Sequence, residues 1–128
     1  MANGGFGGIL LAGNPPLVDA EQISALNLSR LNLVVLAGCS TGLGTQTESV
    51  NADTLIRSFL DAGTASVVAA SWDTDSFASR QLMENFYDQL LGGATVAGAL
   101  RRAILALRSE PVTAHPSAWA AFQVYGEP

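Results

Sequence analysis

Two apolar runs separated by a helical pattern constrain the fold of this chain more than any other feature. Residues 33–37, LVVLA, and 64–72, TASVVAASW, lack clean polar alternation, which is typical of strands covered on both faces. Between the runs, apolar residues recur at helical spacing, at Ala52, Leu55, Ile56, Phe59 and Leu60. Strand, helix and strand with a short return form a right-handed crossover unit. The sequence therefore predicts an α/β fold with a mostly parallel sheet.

Shorter elements are predicted on either side of this unit. Residues 1–8 are rich in glycine and are predicted to be a loop or a cut edge, and Ile9 to Leu11 is a strand candidate stopped by the turn sequence GNPP. A short helix or turn is predicted over 19–28 and a last strand over 119–125. Gly63 is placed to end the first long helix in a left-handed conformation.

Two more helices are predicted between the second and the last strand. Ser76 can cap the first of them, and Thr95 can cap the second. The buried stripe predicted for the first helix is Phe77, Leu82, Phe86, Leu90 and Leu91. That of the second is Val96, Leu100, Ile104 and Leu107, with Arg101, Arg102 and Arg108 on a solvated face. Trp72 and Trp119 are predicted to be core residues.

Composition excludes several classes of function. The net charge is −5, with no lysine and six scattered arginines, so there is no basic stripe for nucleic acid. No apolar run approaches the roughly 18 residues of a membrane span, and Met1 is not followed by the basic segment and apolar run of a secretory leader. One cysteine and one histidine supply neither an internal disulfide nor a metal-ligand cluster. We expect a cytoplasmic protein without metal or cofactor.

The only cysteine, Cys39, lies between the first apolar run and a glycine-rich turn. At the carboxyl end of a parallel strand, a thiol would lie at the sheet edge where α/β proteins place their sites. Its sulfur is a candidate nucleophile, and its own backbone N–H could help bind an oxyanion. The structural alternative is a small thiol packed at a strand end.

The turn AGCSTGLG also resembles the TGxxxGxG fingerprint of short-chain dehydrogenases. Asp73, after the second strand, stands where the acidic residue of such a fingerprint would hold an adenine ribose. That family needs a tyrosine and a lysine one helical turn apart, however, and a phosphate-binding P-loop also needs a lysine. Because the chain has no lysine, nucleotide binding remains the weaker alternative.

Four motifs occur in a characteristic order along nearly the whole chain. They are the apolar strand leading into CSTG, then FLDAGTASVVAASWDTD, then ATVAGALRRAILALR, and then HPSAWAAFQVYG. This series resembles the carboxyl-terminal half of CHAT domains, caspase-like domains often fused to tetratricopeptide repeats in bacteria. GGILLAG resembles the hairpin before the cysteine strand in that family. The resemblance implies a bacterial protein whose residues 1–128 form the cysteine-bearing half of a three-layer caspase-like (caspase-hemoglobinase) sandwich.

The resemblance also implies roles for individual residues. Cys39 matches the family's nucleophile, and Asp73 and Asp75 fall in the segment SWDTD, which helps to wall the specificity pocket. Two carboxylates there would suit an arginine or lysine at the cleavage position; the alternative is that they cap the following helix. Many CHAT sequences have glutamate where this chain has Ser40, which affects local electrostatics.

The largest departure from the family concerns the general base. The family's catalytic histidine lies upstream, in a His-Gly segment before the hairpin, and no histidine precedes Cys39 here. The only histidine, His115, is followed by proline and is predicted to be a structural residue at a loop end. The hypothesis of a cysteine endopeptidase therefore requires a histidine from a partner chain or a missing upstream segment.

Two functions follow as hypotheses. The first is hydrolysis of a peptide or protein substrate by Cys39 and that external histidine, and the second is a non-catalytic CHAT-like interaction module. For either, the half-sandwich would leave an open sheet edge and apolar faces, which favour association with a partner or as a homo-oligomer.

Overall fold

A computed structural model describes residues 8–10, 12, 17–36, 46–72 and 74–127. The strands are β1 (Gly8–Leu10), β2 (Leu17–Asp19), β3 (Leu33–Leu36), β4 (Ser66–Ala70) and β5 (Phe122–Gly126). The helices are α1 (Ala20–Ser24), α2 (Gln46–Asp61), α3 (Ser76–Leu91) and α4 (Val96–Arg108), with a 3-10 turn at Pro116–Ala118. The chain is thus α/β, as predicted.

The main sheet has the order β3-β4-β5 and mixed directions. β3 and β4 are parallel, with Leu33 opposite Ser66 and Leu36 opposite Ala69, so the predicted crossover unit is confirmed. β5 is antiparallel to β4, with Phe122 opposite Ala70. The expectation of a mostly parallel sheet is therefore wrong for the last strand. After α4 the chain reaches the sheet at the edge where β4 ends, so β5 can only run back along it.

Helices cover both faces of this sheet. All five residues of β4 are buried, and their side chains alternate between the two faces. Val68 and Ala70 pack in the cluster formed with α3 and α4, whereas Val67 and Ala69 pack with Ile56 and Phe59 of α2. The layers are therefore α2, the sheet, and the pair α3 and α4.

The larger core lies between the sheet and the α3–α4 pair. Leu82 and Phe86 of α3 are fully buried, as are Ala99 and Ala103 of α4. Small alanines on α4 allow the two helices to approach closely. The predicted interior positions Leu100 and Leu107 are buried, and Val96 and Ile104 are half-buried against the same cluster.

Two predicted core residues of α3 are instead exposed, Phe77 by 52% and Leu91 by 87%. The buried stripe of α3 follows a spacing of four through Ala78, Leu82 and Phe86. Phe77 lies one residue, or about 100°, from that stripe, and Leu91 ends the helix beyond it. The arginines of α4 are exposed, as predicted.

The helix caps follow the sequence with one correction. The Oγ1 atom of Thr95 accepts a hydrogen bond from the Gly98 N–H at 3.0 Å, as predicted. Asp75, not Ser76, is the N-cap of α3. Ser76 is the first helical residue, and a carboxylate one position earlier reaches the orphan N–H groups of the first turn. Gly63, after α2, has a positive φ of +110°, so the predicted helix end with a glycine in a left-handed conformation is confirmed.

The start of the chain forms a separate two-stranded element. β1 and β2 are antiparallel, with Ile9 opposite Val18, in agreement with the hairpin that the family resemblance implies. β2 leads directly into α1 through a capping box, in which Asp19 accepts from the Gln22 N–H at 2.8 Å and Gln22 accepts from the Asp19 N–H at 3.0 Å. Among the described helices, none has the length and hydropathy of a membrane span.

Candidate functional site

The main sheet has one edge, which we call the carboxyl edge, at which β3 and β4 both end. β3 and β4 are parallel and in register, so the chain leaves both strands there, after Leu36 and after Ala70. β5 is antiparallel and begins at the same edge with Phe122. In sequence, three segments adjoin this edge: the residues that follow β3, residues 71–75, and residues 114–121. Cys39 and Asp73 belong to the first two segments but lie outside the described residues.

Hydrogen bonds tie the second and third segments together. The Ser71 N–H donates to the Ala121 carbonyl at 2.8 Å, and the Trp72 indole N–H donates to the Ser117 carbonyl at 3.5 Å. Trp72 is 43% exposed, so its predicted core position is wrong. It follows the last residue of β4 by two positions, where the chain has already left the covered part of the sheet. An exposed indole consequently flanks this edge.

Asp75 serves as a helix cap. Its Oδ2 accepts a hydrogen bond from the Ala78 N–H at 3.1 Å, and no described residue bonds to its other carboxylate oxygen. The residue is exposed at the start of α3. Near it, the hydroxyls of Thr74 and Ser79 are hydrogen-bonded to each other. The capping alternative is thus confirmed for Asp75.

His115 is held in its own turn, as predicted. Its Nδ1 accepts from the Ser117 N–H at 3.1 Å and lies 3.0 Å from the Ser117 Oγ. This arrangement caps the 3-10 turn that begins with Pro116. An Nδ1 that accepts from a backbone N–H leaves the ring proton on Nε2. The imidazole is therefore a structural element of the segment that leads into β5.

Trp119 anchors that segment to α4. Its side chain is half-buried against the larger core, so the predicted core position holds in part. The indole N–H donates to the Ala114 carbonyl at 3.2 Å, and the Arg108 guanidinium lies 5.3 Å from the ring centroid. A cation over an indole face is attracted by the ring quadrupole.

Metal-binding side chains do not converge in groups of three or more within the described ranges. The features of this edge that sequence reasoning missed are the exposure of Trp72 and its bond to the 114–121 segment. The position of Trp72 just beyond the apolar run was a signal, because a strand end leaves the cover of its helices.

This arrangement defines an α/β protein with a crossover unit of two parallel strands, and a cysteine follows the first of these strands in sequence. Sheets of this kind commonly have binding sites beyond the carboxyl ends of their strands. The chain belongs to the CHAT domain family, which it matches over residues 3–127. The resemblance seen in the four motifs is thereby confirmed.

Two curated relatives also match. Tetratricopeptide repeat protein 28 of Mus musculus is 34% identical over 113 residues, which cover 86% of this chain and 4% of the relative. Tetratricopeptide repeat protein 28 of Homo sapiens is 31% identical over 114 residues, covering 88% of this chain and 5% of the relative. This chain therefore spans only 4 to 5% of the length of these relatives. Both are mammalian, so they give no support to a bacterial origin.

Proposed function

We propose that this chain is the carboxyl-terminal, cysteine-bearing portion of a CHAT-type endopeptidase with a caspase-like fold, and that Cys39 is its nucleophile. The supporting observation is the in-register parallel pairing of β3 and β4, which directs the chain after Leu36 and the chain after Ala70 to one edge. Cys39 follows Leu36 by three residues, so the covalent chain limits its Cα to about 11 Å from that strand end. A nucleophile and a substrate-binding segment can therefore share the carboxyl edge.

The proposed reaction is covalent hydrolysis of a peptide bond. The Cys39 sulfur attacks the scissile carbonyl carbon, and the carbonyl oxygen becomes an oxyanion that the Cys39 backbone N–H stabilises. A histidine outside these 128 residues takes the thiol proton and passes it to the leaving amine. Water then attacks the thioester, releasing the acid and restoring the thiol. The proposal includes no metal and no organic cofactor.

The histidine is proposed to come from polypeptide that continues the sheet beside β3. That strand is LVVL, and among the described residues it pairs only with β4. An apolar strand with one unpaired side is a template for another strand. A histidine-bearing partner or upstream segment would complete the fold there, and a second copy of this chain is the homo-oligomeric alternative. A free thiol suits a reducing compartment, so we propose a cytoplasmic location.

For the substrate, we propose a protein or peptide with a basic residue at the cleavage position. Asp73 and Asp75 would supply carboxylates to it. Trp72, two residues after Ala70, has an exposed indole, and Asp75, three residues after Trp72, has one carboxylate oxygen to which no described residue bonds. Both observations support this assignment. Arginine is also attracted to indole faces, which adds to the preference for a basic side chain.

Thiol reactivity tests the proposal. Iodoacetamide labelling of Cys39 in the full chain should follow a titration midpoint below the ordinary value of about 8.5. A reporter peptide with arginine at the cleavage position should be hydrolysed in the presence of the histidine-bearing polypeptide, and a matched glutamine peptide should not. Cys39→Ala must abolish the hydrolysis. Labelling only after the protein is unfolded would contradict a nucleophilic role.

The bonding of His115 favours a second candidate, a CHAT-like interaction module without hydrolysis. The chain's single histidine uses Nδ1 to cap its own turn, which commits that nitrogen to a structural role. For such a module, Cys39→Ala would leave partner binding unchanged and the native thiol would be inert to iodoacetamide.

A further inference from the structure

A concave surface lies between α4 and β5, on the side of the sheet where β5 is the outermost described strand. This α4–β5 groove has a volume of about 540 Å³. Its apolar lining includes Leu100, Ile104, Leu105, Phe122 and Val124, and its charged lining is Arg101 and Arg108. Leu105 is 43% exposed, although it lies between buried turns of α4. The groove therefore combines apolar surface that water can reach with two cations.

The wall formed by β5 is a strand edge. β5 pairs with β4 alone among the described residues. The Ser71 N–H donates to the Ala121 carbonyl and the Glu127 N–H to the Ala65 carbonyl, each at 2.8 Å. The backbone N–H and C=O groups of the odd-numbered residues of β5 therefore point toward β4. In an antiparallel pair, bonding residues alternate with non-bonding ones. The backbone N–H and C=O of Val124 consequently point away from β4, along the groove.

Neither arginine of the groove has a carboxylate partner among the residues that the structure describes. Arg108 lies over the Trp119 ring, and no hydrogen bond or ion pair engages the Arg101 guanidinium within the described part of the chain. The only ion pair found there joins Arg80 and Glu84 on the surface of α3. The chain as a whole carries a net charge of −5, so this local positive charge runs against the overall sign. An acidic ligand is complementary to it.

We infer that the α4–β5 groove binds an extended acidic segment of a partner polypeptide, which adds a strand to β5. The segment's backbone would bond to Val124, its carboxylates would meet Arg101 and Arg108, and an apolar side chain between them would enter the groove. The two arginines are seven residues apart on α4, about 10.5 Å along the helix axis. Three or four residues of an extended strand span that distance, at about 3.4 Å each.

A second copy of this chain fits the same edge less well. Pairing two β5 strands about a two-fold axis would continue the sheet and place both α4 helices on one face. Their arginines would then approach each other, and like charges brought together oppose association. The charge pattern thus favours an acidic partner over self-association. This inference depends on neither Cys39 nor hydrolysis.

The probe is a fluorescein-labelled seven-residue peptide, Thr-Glu-Thr-Leu-Thr-Glu-Thr, in which both glutamates and the leucine project from one face when it is extended. Fluorescence polarisation with the full chain, measured in the wild type and in Cys39→Ala, should show the same saturable binding in both. A peptide with lysine in place of both glutamates should not bind. Equal binding of the lysine peptide would overturn the inference.

Backbone methylation tests strand addition without changing the protein. Successive residues of a strand direct their N–H groups to opposite edges, so only one alternate set can bond to β5. We expect N-methylation of either the Glu-Leu-Glu set or the Thr set to weaken binding at least about tenfold, while the other set has little effect. Unchanged affinity for both methylated peptides would overturn the inference.

Charge reversal locates the site. Arg101→Glu should weaken binding of the acidic peptide at least about tenfold. Arg102→Glu is the matched control, because Arg102 is exposed on the same helix but donates to Gln89 of α3 at 3.1 Å, away from the groove. An Arg101→Glu variant that binds as tightly as Arg102→Glu would refute the site.

Discussion

At the scale of single residues, backbone geometry constrains Gly126 most strongly. It ends β5 with a φ of +89°, a backbone conformation that residues with a side chain rarely adopt. A Cβ at this position would collide with the Ala65 carbonyl oxygen and lie 2.9 Å from the Leu60 Cδ2. Gly93, after α3, has a similar φ of +97°, but a Cβ there would meet nothing within 4 Å. A side chain at Gly93 would therefore introduce backbone strain alone, whereas one at Gly126 would introduce both strain and a steric collision.

We expect Gly93→Ala to lower the free energy of unfolding by about 1 to 2 kcal/mol, the penalty for a side chain in the left-handed region. Gly126→Ala should cost clearly more, because the Ala65 backbone must also move. Urea denaturation of both variants measures the difference. Equal losses for the two variants would show that the backbone at Ala65 moves away from the added methyl group without a measurable loss of stability.

Asp75 is the residue at which a structural role and a proposed substrate role can be separated. Asp75→Asn keeps an oxygen acceptor for the Ala78 N–H and removes the charge, and asparagine is as good an N-cap as aspartate. We expect Asp75→Asn to retain stability within about 0.5 kcal/mol, whereas Asp75→Ala should lose about 1 kcal/mol. In reporter hydrolysis, Asp75→Asn should raise KM for the arginine peptide. An unchanged KM would limit Asp75 to capping.

At the scale of elements, α3 shows that hydrophobic residues on one helix differ widely in what they stabilise. Leu82 is fully buried beneath α4, and Leu91 is 87% exposed at the end of the same helix. Burial, not residue type, determines the contribution of each leucine. Truncation of the buried leucine removes transfer free energy and also leaves a cavity.

Leu82→Ala should therefore lower the free energy of unfolding by about 2 to 5 kcal/mol. Leu91→Ala, the same chemical change on the same helix, should stay within about 0.5 kcal/mol of the wild type. Chemical denaturation of the two variants provides the comparison. A loss of 2 kcal/mol or more for Leu91→Ala would mean that an unseen partner covers that end of α3.

At the scale of the whole molecule, β4 is the element on which both cores depend. It has strands on both sides and helices on both faces, and all five of its residues are buried. β1 and β2, in contrast, form a two-stranded pair of three residues each. A short isolated pair is marginally stable on its own.

Hydrogen exchange should reflect this arrangement. The amides of Val67, Val68 and Ala69 are expected to exchange most slowly, through opening that approaches global unfolding. The amides of β1 and β2 should exchange faster by orders of magnitude, because a small local opening exposes them. Amide exchange followed by NMR or mass spectrometry tests this order. Equal protection in the two sheets would indicate that the first pair packs as part of the main core.

Much of the local structure was predictable because it depends on residues close in sequence. Apolar runs and helical spacing located β3, α2 and β4, and Thr95 and Gly63 marked a helix start and a helix end. The four motifs also identified the family, and the turn role of His115 followed from its proline neighbour. The cap of α3 was displaced by one residue because Asp75 and Ser76 are both good capping residues.

The sequence by itself determined the crossover unit, the helix ends and the membership in the CHAT family, since each depends on short-range patterns. Tertiary structure decided the direction of β5, the exposure of Trp72, Phe77 and Leu91, and the groove between α4 and β5. These features depend on which distant segments pack against each other. Hydrophobicity predicts that a residue favours burial, but only the packed layers decide which surfaces remain to meet a partner.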